Sequence, residues 1–193
     1  MSVCTISGAQ GQGKTTVLNT LASKGYTVVE RKTSRSILDE LGMSLAEVNA
    51  YHPLTRYFQT QVLEAHLESM QPLLDSPGLH FMERSFADIF VYSNISVGPF
   101  NVNNSWHQEY YNMCLDGQRL FKSIYHLSGR TYTPQEDGVR STNPHFAGMV
   151  DREILFYAKR MNAEIGNNQL HELAMSDNDE RVWAILRECC GVD

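Results

Sequence analysis

The chain has 193 residues, 42% hydrophobic, 20% charged and 10% aromatic, a globular composition that excludes a disordered or collagen-like chain. Sixteen Lys and Arg against 22 Asp and Glu give a net charge of -6, which argues against a duplex-coating protein, whose affinity comes from a basic surface that neutralises phosphates. The length predicts one domain over 1–193, with enough chain to bury about two-thirds of its unfolded surface.

Four cysteines, Cys4, Cys114, Cys189 and Cys190, lack metal-ligand spacing and read as idle thiols of a reducing compartment rather than a disulfide framework. The N-terminal sequence lacks a basic region followed by a long apolar stretch, and no window approaches the ~18 apolar residues of a membrane span. These features predict a soluble, cytoplasmic protein with no membrane partner.

In chain order, the β-branched run Ser2 to Ser7 predicts a strand that breaks at Gly8. Val17, Leu18 and Leu21 have helical spacing between Thr15 and Lys24, and Gly25 stops that helix. Tyr26 to Glu30 reads as the second strand, giving the βαβ alternation of a parallel sheet. Ser34 to Val48 is helical with a break at Gly42, and Leu54 to Leu74 predicts a long helix. After the Asp75 to Gly78 turn, Leu79 to Glu83 is the third strand. Helices follow at Phe86 to Ile95 and Trp106 to Phe121, with a fourth strand at Ser123 to Leu127. Ser128 to Pro144, rich in Gly, Pro, Ser, Thr and charge, predicts a long functional loop. Met149 to Met161 is helical, Leu170 to Met175 is a fifth strand, and Ser176-Asp177 caps a last helix from Asp179 to Cys189. The fold class expected is α/β: a three-layer fold with a five-stranded parallel sheet flanked by helices.

The sharpest feature is Gly8-Ala9-Gln10-Gly11-Gln12-Gly13-Lys14-Thr15, which fits the phosphate-binding loop at every fixed position and follows a predicted strand. Glycines let backbone N–H groups turn toward phosphate oxygens, and the next helix presents its positive end to them. Gly8 through Thr16 are therefore the expected ATP-binding residues. Lys14 supplies a positive charge to the phosphates, and Thr15 a hydroxyl for Mg2+.

Two further strand ends carry candidates. Glu30, at the carboxyl end of the second strand, stands where ligands bind in open parallel sheets and is a candidate base for an attacking hydroxyl; a surface pair with Arg31 or Lys32 is the plainer reading. Arg35, on the helix beyond, is either a phosphate ligand or solvated. Glu83 at the third strand's end is placed to hold Mg2+ through water, and Arg84 to touch a transferred or acceptor phosphate, with a structural ion pair between the two as the alternative. In the long loop, Arg130, Arg140 and the neighbouring Arg152 suit a mobile lid over 128–144 that adds positive charge to the transferring group, Arg140 foremost. The seven histidines have no zinc or triad spacing and read as structural. Most of Tyr51, Tyr57, Phe58, Phe90 and Tyr92 read as core, with one or two available to stack on a base.

On GAQGQGKTT, VVERKTSR, MERSFAD, EDGVRS and DERVWAIL, the chain resembles the phosphate-loop nucleoside and nucleotide kinases, the group of thymidylate kinase, deoxynucleoside kinases and nicotinamide riboside kinase-like domains. The resemblance implies an ATP- and Mg2+-dependent phosphotransferase, with Glu30 as base and Glu83 and Arg84 serving metal and substrate. The helical middle and EDGVR segment are more similar to phage and bacterial ATP-binding proteins near thymidylate kinase. The implied acceptor is a deoxynucleoside or its monophosphate. Alternatives are a modified-base hydroxyl in DNA, or a nucleotide-dependent switch with no small acceptor. A homodimer is compatible with this reading.

Overall fold

The computed structural model describes residues 2–73, 75–98, 105–129, 143–166 and 169–191. Strands β1 (Ser2–Ser7), β2 (Thr27–Val28), β3 (Leu79–Glu83), β4 (Ser123–Leu127) and β5 (Leu170–Leu173) pair in parallel in the order β2-β3-β1-β4-β5. β1 is central, with Cys4 opposite Phe81 of β3 on one side and Ser123 of β4 on the other. The helices are α1 (Lys14–Ser23), α2 (Ser34–Leu41), α3 (Leu45–Asn49), α4 (His52–Met70), α5 (Phe86–Val97), α6 (Ser105–Gln118), α7 (Pro144–Ile165) and α8 (Asn178–Cys190).

The strand period of two divides the core into layers. Val3, Met82 and Ile124 face one side, where α4 to α7 contribute Phe58, Leu63, Phe86, Phe90, Tyr110 and Met161. Cys4, Ile6, Phe81 and Tyr125 face the other, against Val17 and Leu21 of α1 and Val182 and Ile185 of α8. This is the expected three-layer α/β architecture, with the carboxyl ends of β1, β3 and β4 converging on one edge. No helix among the described residues is long and apolar enough to cross a membrane.

Several boundaries differ from the sequence reading. β2 pairs only over Thr27–Val28, and Val29 adds one further bond to Phe81 O at 2.8 Å before the chain leaves the sheet, so Glu30 lies beyond the strand. α7 begins five residues earlier than the spacing predicts. Asn143 caps it, accepting from the His145 and Phe146 N–H groups, and Pro144 occupies the first turn, where a missing N–H costs nothing. The same signature, Pro53 in the first turn, starts α4 at His52. The Gly42 break is present and separates α2 from α3. Tyr51 and Tyr57 are exposed rather than core, whereas Phe58 and Phe90 are buried. All four cysteines are free, with the Cys4 and Cys189 Sγ atoms 3.4 Å apart.

Candidate active site

The turn out of β1 is dictated by its glycines. Gly8 has φ +129°, and a Cβ there would lie 2.7 Å from Leu127 O, so no other residue fits without moving β4. Gly13, in the left-handed region at φ 84°, caps α1 and lets Lys14 and Thr15 open the helix immediately after the turn. Lys14 is 5% exposed; its Nζ donates to Ala9 O at 2.8 Å and lies 3.8 Å from the Glu83 carboxylate. Thr15 and Thr16 are exposed at the start of α1. Two loop amides are committed to carboxylates: Gly8 N–H donates to Asp88 Oδ1 at 3.2 Å and Ala9 N–H to Asp151 Oδ1 at 3.0 Å. That moves the candidate phosphate cradle to the turn from Gly11 to Thr15, at the positive end of α1.

Beside this loop, β3 ends in Glu83-Arg84-Ser85. Arg84 has φ 79°, a left-handed conformation costing an ordinary residue about 1–3 kcal/mol. Its backbone is held on both sides: the N–H donates to Ile6 O at 2.9 Å, and the carbonyl accepts from Thr5 Oγ1 at 2.7 Å. The guanidinium is thereby fixed. Its Nη1 donates to Gly8 O and to Asp88 Oδ1, both at 3.2 Å, and the group lies over the Tyr92 ring, 4.8 Å from the centroid.

Asp88 joins the two loops. Fully buried, it accepts from Ser7 Oγ at 2.6 Å, Ser85 N–H at 2.9 Å and Ser85 Oγ at 2.7 Å, in addition to Gly8 and Arg84. Burial alone would raise its pKa; Arg84, Lys14 and the serine hydroxyls outweigh it and hold the carboxyl below its ordinary value. With five donors on two oxygens, Asp88 is a structural clasp and offers no oxygen to a metal. Glu83 differs. Burial opposes its charge, but Lys14, Arg84 and Arg31 lower its pKa, so it is an ionised, partly accessible oxygen donor. Glu83 and the exposed Thr15 hydroxyl are both hard oxygen donors of the kind Mg2+ takes.

A cavity of about 280 Å³ opens from this junction. Gln10 of the loop, Glu83 and Arg84 line it together with Arg31, Thr33 and Arg35; Leu38, Phe58, Val62, Ile89 and Tyr92 supply apolar and aromatic walls. Glu30 is exposed and outside this lining. The structure thus brings together Gln10, Lys14, Arg35, Glu83 and Arg84, adds Arg31, and leaves Glu30 at the periphery. Arg130 and Arg140, with most of the segment over 128–144, lie outside the described residues.

Three supporting residues escape a reading by motif. Arg181 in α8 is 1% exposed and donates to Gln12 O at 2.6 Å, Ser128 O at 2.8 Å and Met175 O at 2.7 Å, tying α8 to the phosphate loop and to the exit of β4. Its sequence signal is a charge on the apolar stripe that continues through Val182, Ile185 and Leu186. Asp151, which holds Ala9, also lies 3.6 Å from Nε2 of the buried His126. Asp88 is announced by the Ser85-x-x-Asp88 capping-box spacing, which the structure forms.

A family profile described as an AAA domain matches residues 3–171. No curated protein sequence matches the chain. Among solved structures, deoxyadenosine kinase from M. mycoides with bound dATP superposes with a TM-score of 0.69 at 11% identity, over 97% of this chain and 98% of that one. NadR protein in complex with NR superposes with a TM-score of 0.65 at 17% identity, and all of this chain spans about half (51%) of that one. The chain thus shares the fold of these proteins. The five parallel strands come in the predicted order, with β2 and β5 shorter than the sequence predicts, the glycine turn follows β1, and the chain belongs to the AAA domain family.

Proposed function

We propose that the protein is an ATP-dependent phosphotransferase that moves the γ-phosphate of ATP to a small acceptor of the nucleoside or nucleotide class. The observation that carries this reading is the single cavity shared by the phosphate loop, through Gln10, and the carboxyl end of β3, through Glu83 and Arg84. An acceptor seated there lies beside the group to be transferred, which is what in-line transfer needs. Its volume, near the ~300 Å³ lower end of small-ligand pockets, suits one small molecule.

In this account Gly8, Ala9, Gln10, Gly11, Gln12, Gly13, Lys14, Thr15 and Thr16 form the ATP-binding loop and its helix start. Lys14 exchanges its bond to Ala9 O for phosphate oxygens and stabilises charge on the transferring group. Arg84, fixed by Asp88 and Gly8 O, presents its remaining N–H groups to the cavity. Mg2+ held by Thr15 and Glu83 would screen repulsion between neighbouring phosphates. Arg140 is assigned to the closing of the site, as its sequence context suggests.

The test is a screen of nucleosides, nucleoside monophosphates and oligonucleotides, including DNA with hydroxymethylated bases, with γ-labelled ATP. Label in a nucleoside or nucleotide supports the proposal. Label only in DNA moves the acceptor into a polymer, and ATP hydrolysis with no labelled acceptor indicates a nucleotide switch.

A further inference from the structure

The cavity is built for an anion. Arg31, Arg35 and Arg84 line it against one carboxylate, Glu83, so this pocket is cationic in a protein whose net charge is -6. Arg84 is already committed to Gly8 O and Asp88. Arg31 is not. Its Nε is buried with no hydrogen-bond partner among the described residues, and Nη1 makes a long bond of 3.5 Å to Lys32 O. A buried guanidinium donor without an acceptor costs on the order of 1–3 kcal/mol, a cost removed when a ligand supplies the oxygen. Burial and repulsion by Arg84 lower the Arg31 pKa, only partly offset by Glu83 and Asp88, so positive charge here is under-compensated.

The loop that carries this charge is separate from the phosphate loop. In the order β2-β3-β1, the loop carrying Arg31 follows β2, two strands from the phosphate loop after β1, or roughly 10 Å at ordinary strand spacing. The first turn of α2, capped by Thr33, contributes Thr33 and Ser34 to the same lining and directs its positive end there. Acceptor chemistry agrees. A sugar hydroxyl needs a base to take its proton, yet Glu30 lies outside the cavity.

We infer that the acceptor carries its own phosphate, gripped by Arg31 and the first turn of α2, so that the enzyme converts a nucleoside monophosphate to the diphosphate. The inference rests on the kinase reading above. An oxygen of the acceptor phosphate forms the new bond to the γ-phosphorus, the bond from that phosphorus to the β–γ bridging oxygen breaks, and ADP leaves with the electron pair. The attacking oxygen is already ionised at neutral pH, since the second phosphate pKa is near 6. No proton is removed, and charge balances between fully ionised reactants and products.

The experiment measures kcat and KM for matched nucleosides and their 5'-monophosphates, with binding of each by calorimetry, for wild type, Arg31→Gln and Arg31→Lys. Melting profiles confirm that the variants are folded. The monophosphate is expected to be preferred in kcat/KM by about 10²-fold or more, the scale of a bidentate charged contact of 2–3 kcal/mol. Arg31→Gln should raise its KM about tenfold or more while leaving nucleoside binding unchanged, and Arg31→Lys should restore part of the loss. Equal use of nucleoside and monophosphate, or an equal effect of Arg31→Gln on both, overturns the anionic acceptor while the kinase reading stands. Failure to bind or phosphorylate either acceptor, with ATP still bound, overturns the kinase reading and this inference with it.

Discussion

Arg181 donates to Gln12 O at 2.6 Å across 169 residues of sequence, and the same guanidinium reaches Ser128 O and Met175 O. Helix α8 is therefore a prop for the phosphate loop. Arg181→Ala removes the donor to the Gln12, Ser128 and Met175 carbonyls, and the expected loss of stability is about 3 kcal/mol. Chemical denaturation measures it. Nucleotide affinity should fall as well, because Gln12 lies in the loop.

Gly8→Ala places a methyl group 2.7 Å from Leu127 O at φ +129°. Both backbone strain and the clash act, and a cost of about 3 kcal/mol is expected. Denaturation should show the loss, and ATP should no longer raise the melting temperature, since the displaced loop includes the amide that Asp88 holds.

His66, fully buried in α4 with its ring 4.8 Å from that of Phe86, has its pKa pushed down to about 3 by burial first and by the Arg31 charge second. In the unfolded chain it titrates near 6.5. Because the folded value is the lower one, protonation favours unfolding. The contribution is intact above about pH 6.5 and declines toward pH 3, with a slope of up to about 1.4 kcal/mol per pH unit. Asp88, also held below its ordinary value, adds a loss only as pH falls through the carboxylate range. His66→Gln should flatten the slope between about pH 6 and 4.5 in stability measured against pH.

The two glutamates at strand ends should separate cleanly. Glu83→Gln removes an ionised oxygen beside Lys14 and is expected to lower turnover by about 10²-fold. Glu30→Gln, exposed and outside the cavity, should change transfer to a phosphate acceptor by less than about twofold, and should matter only for a neutral hydroxyl that needs a base. Steady-state kinetics on both acceptor types measure the contrast.

What the sequence makes legible here is local. The Gly8 to Thr15 spacing announces the phosphate loop because each glycine answers a backbone demand within eight residues, and Glu83-Arg84 is found because a short apolar run ends there. The clasp between Asp88 and Gly8, and the prop between Arg181 and Gln12, join residues 80 and 169 positions apart. Spacing cannot encode such pairs, and each leaves only an indirect mark: a capping box for Asp88, a charge on an apolar stripe for Arg181. Arg31 is overlooked for a related reason. In sequence it is a neighbour for Glu30 to pair with; in the fold, β2 ends early and the chain turns so that Arg31 lines the cavity while Glu30 faces solvent.

The central claim is that the phosphate loop drives transfer from ATP, and Lys14 tests it most directly. Lys14 donates to Ala9 O and lies beside the Glu83 carboxylate. Phosphoryl transfer from γ-labelled ATP should therefore fall by at least about 10²-fold in Lys14→Ala, with a melting profile close to that of the wild type. Near wild-type transfer in a folded Lys14→Ala protein would contradict the account.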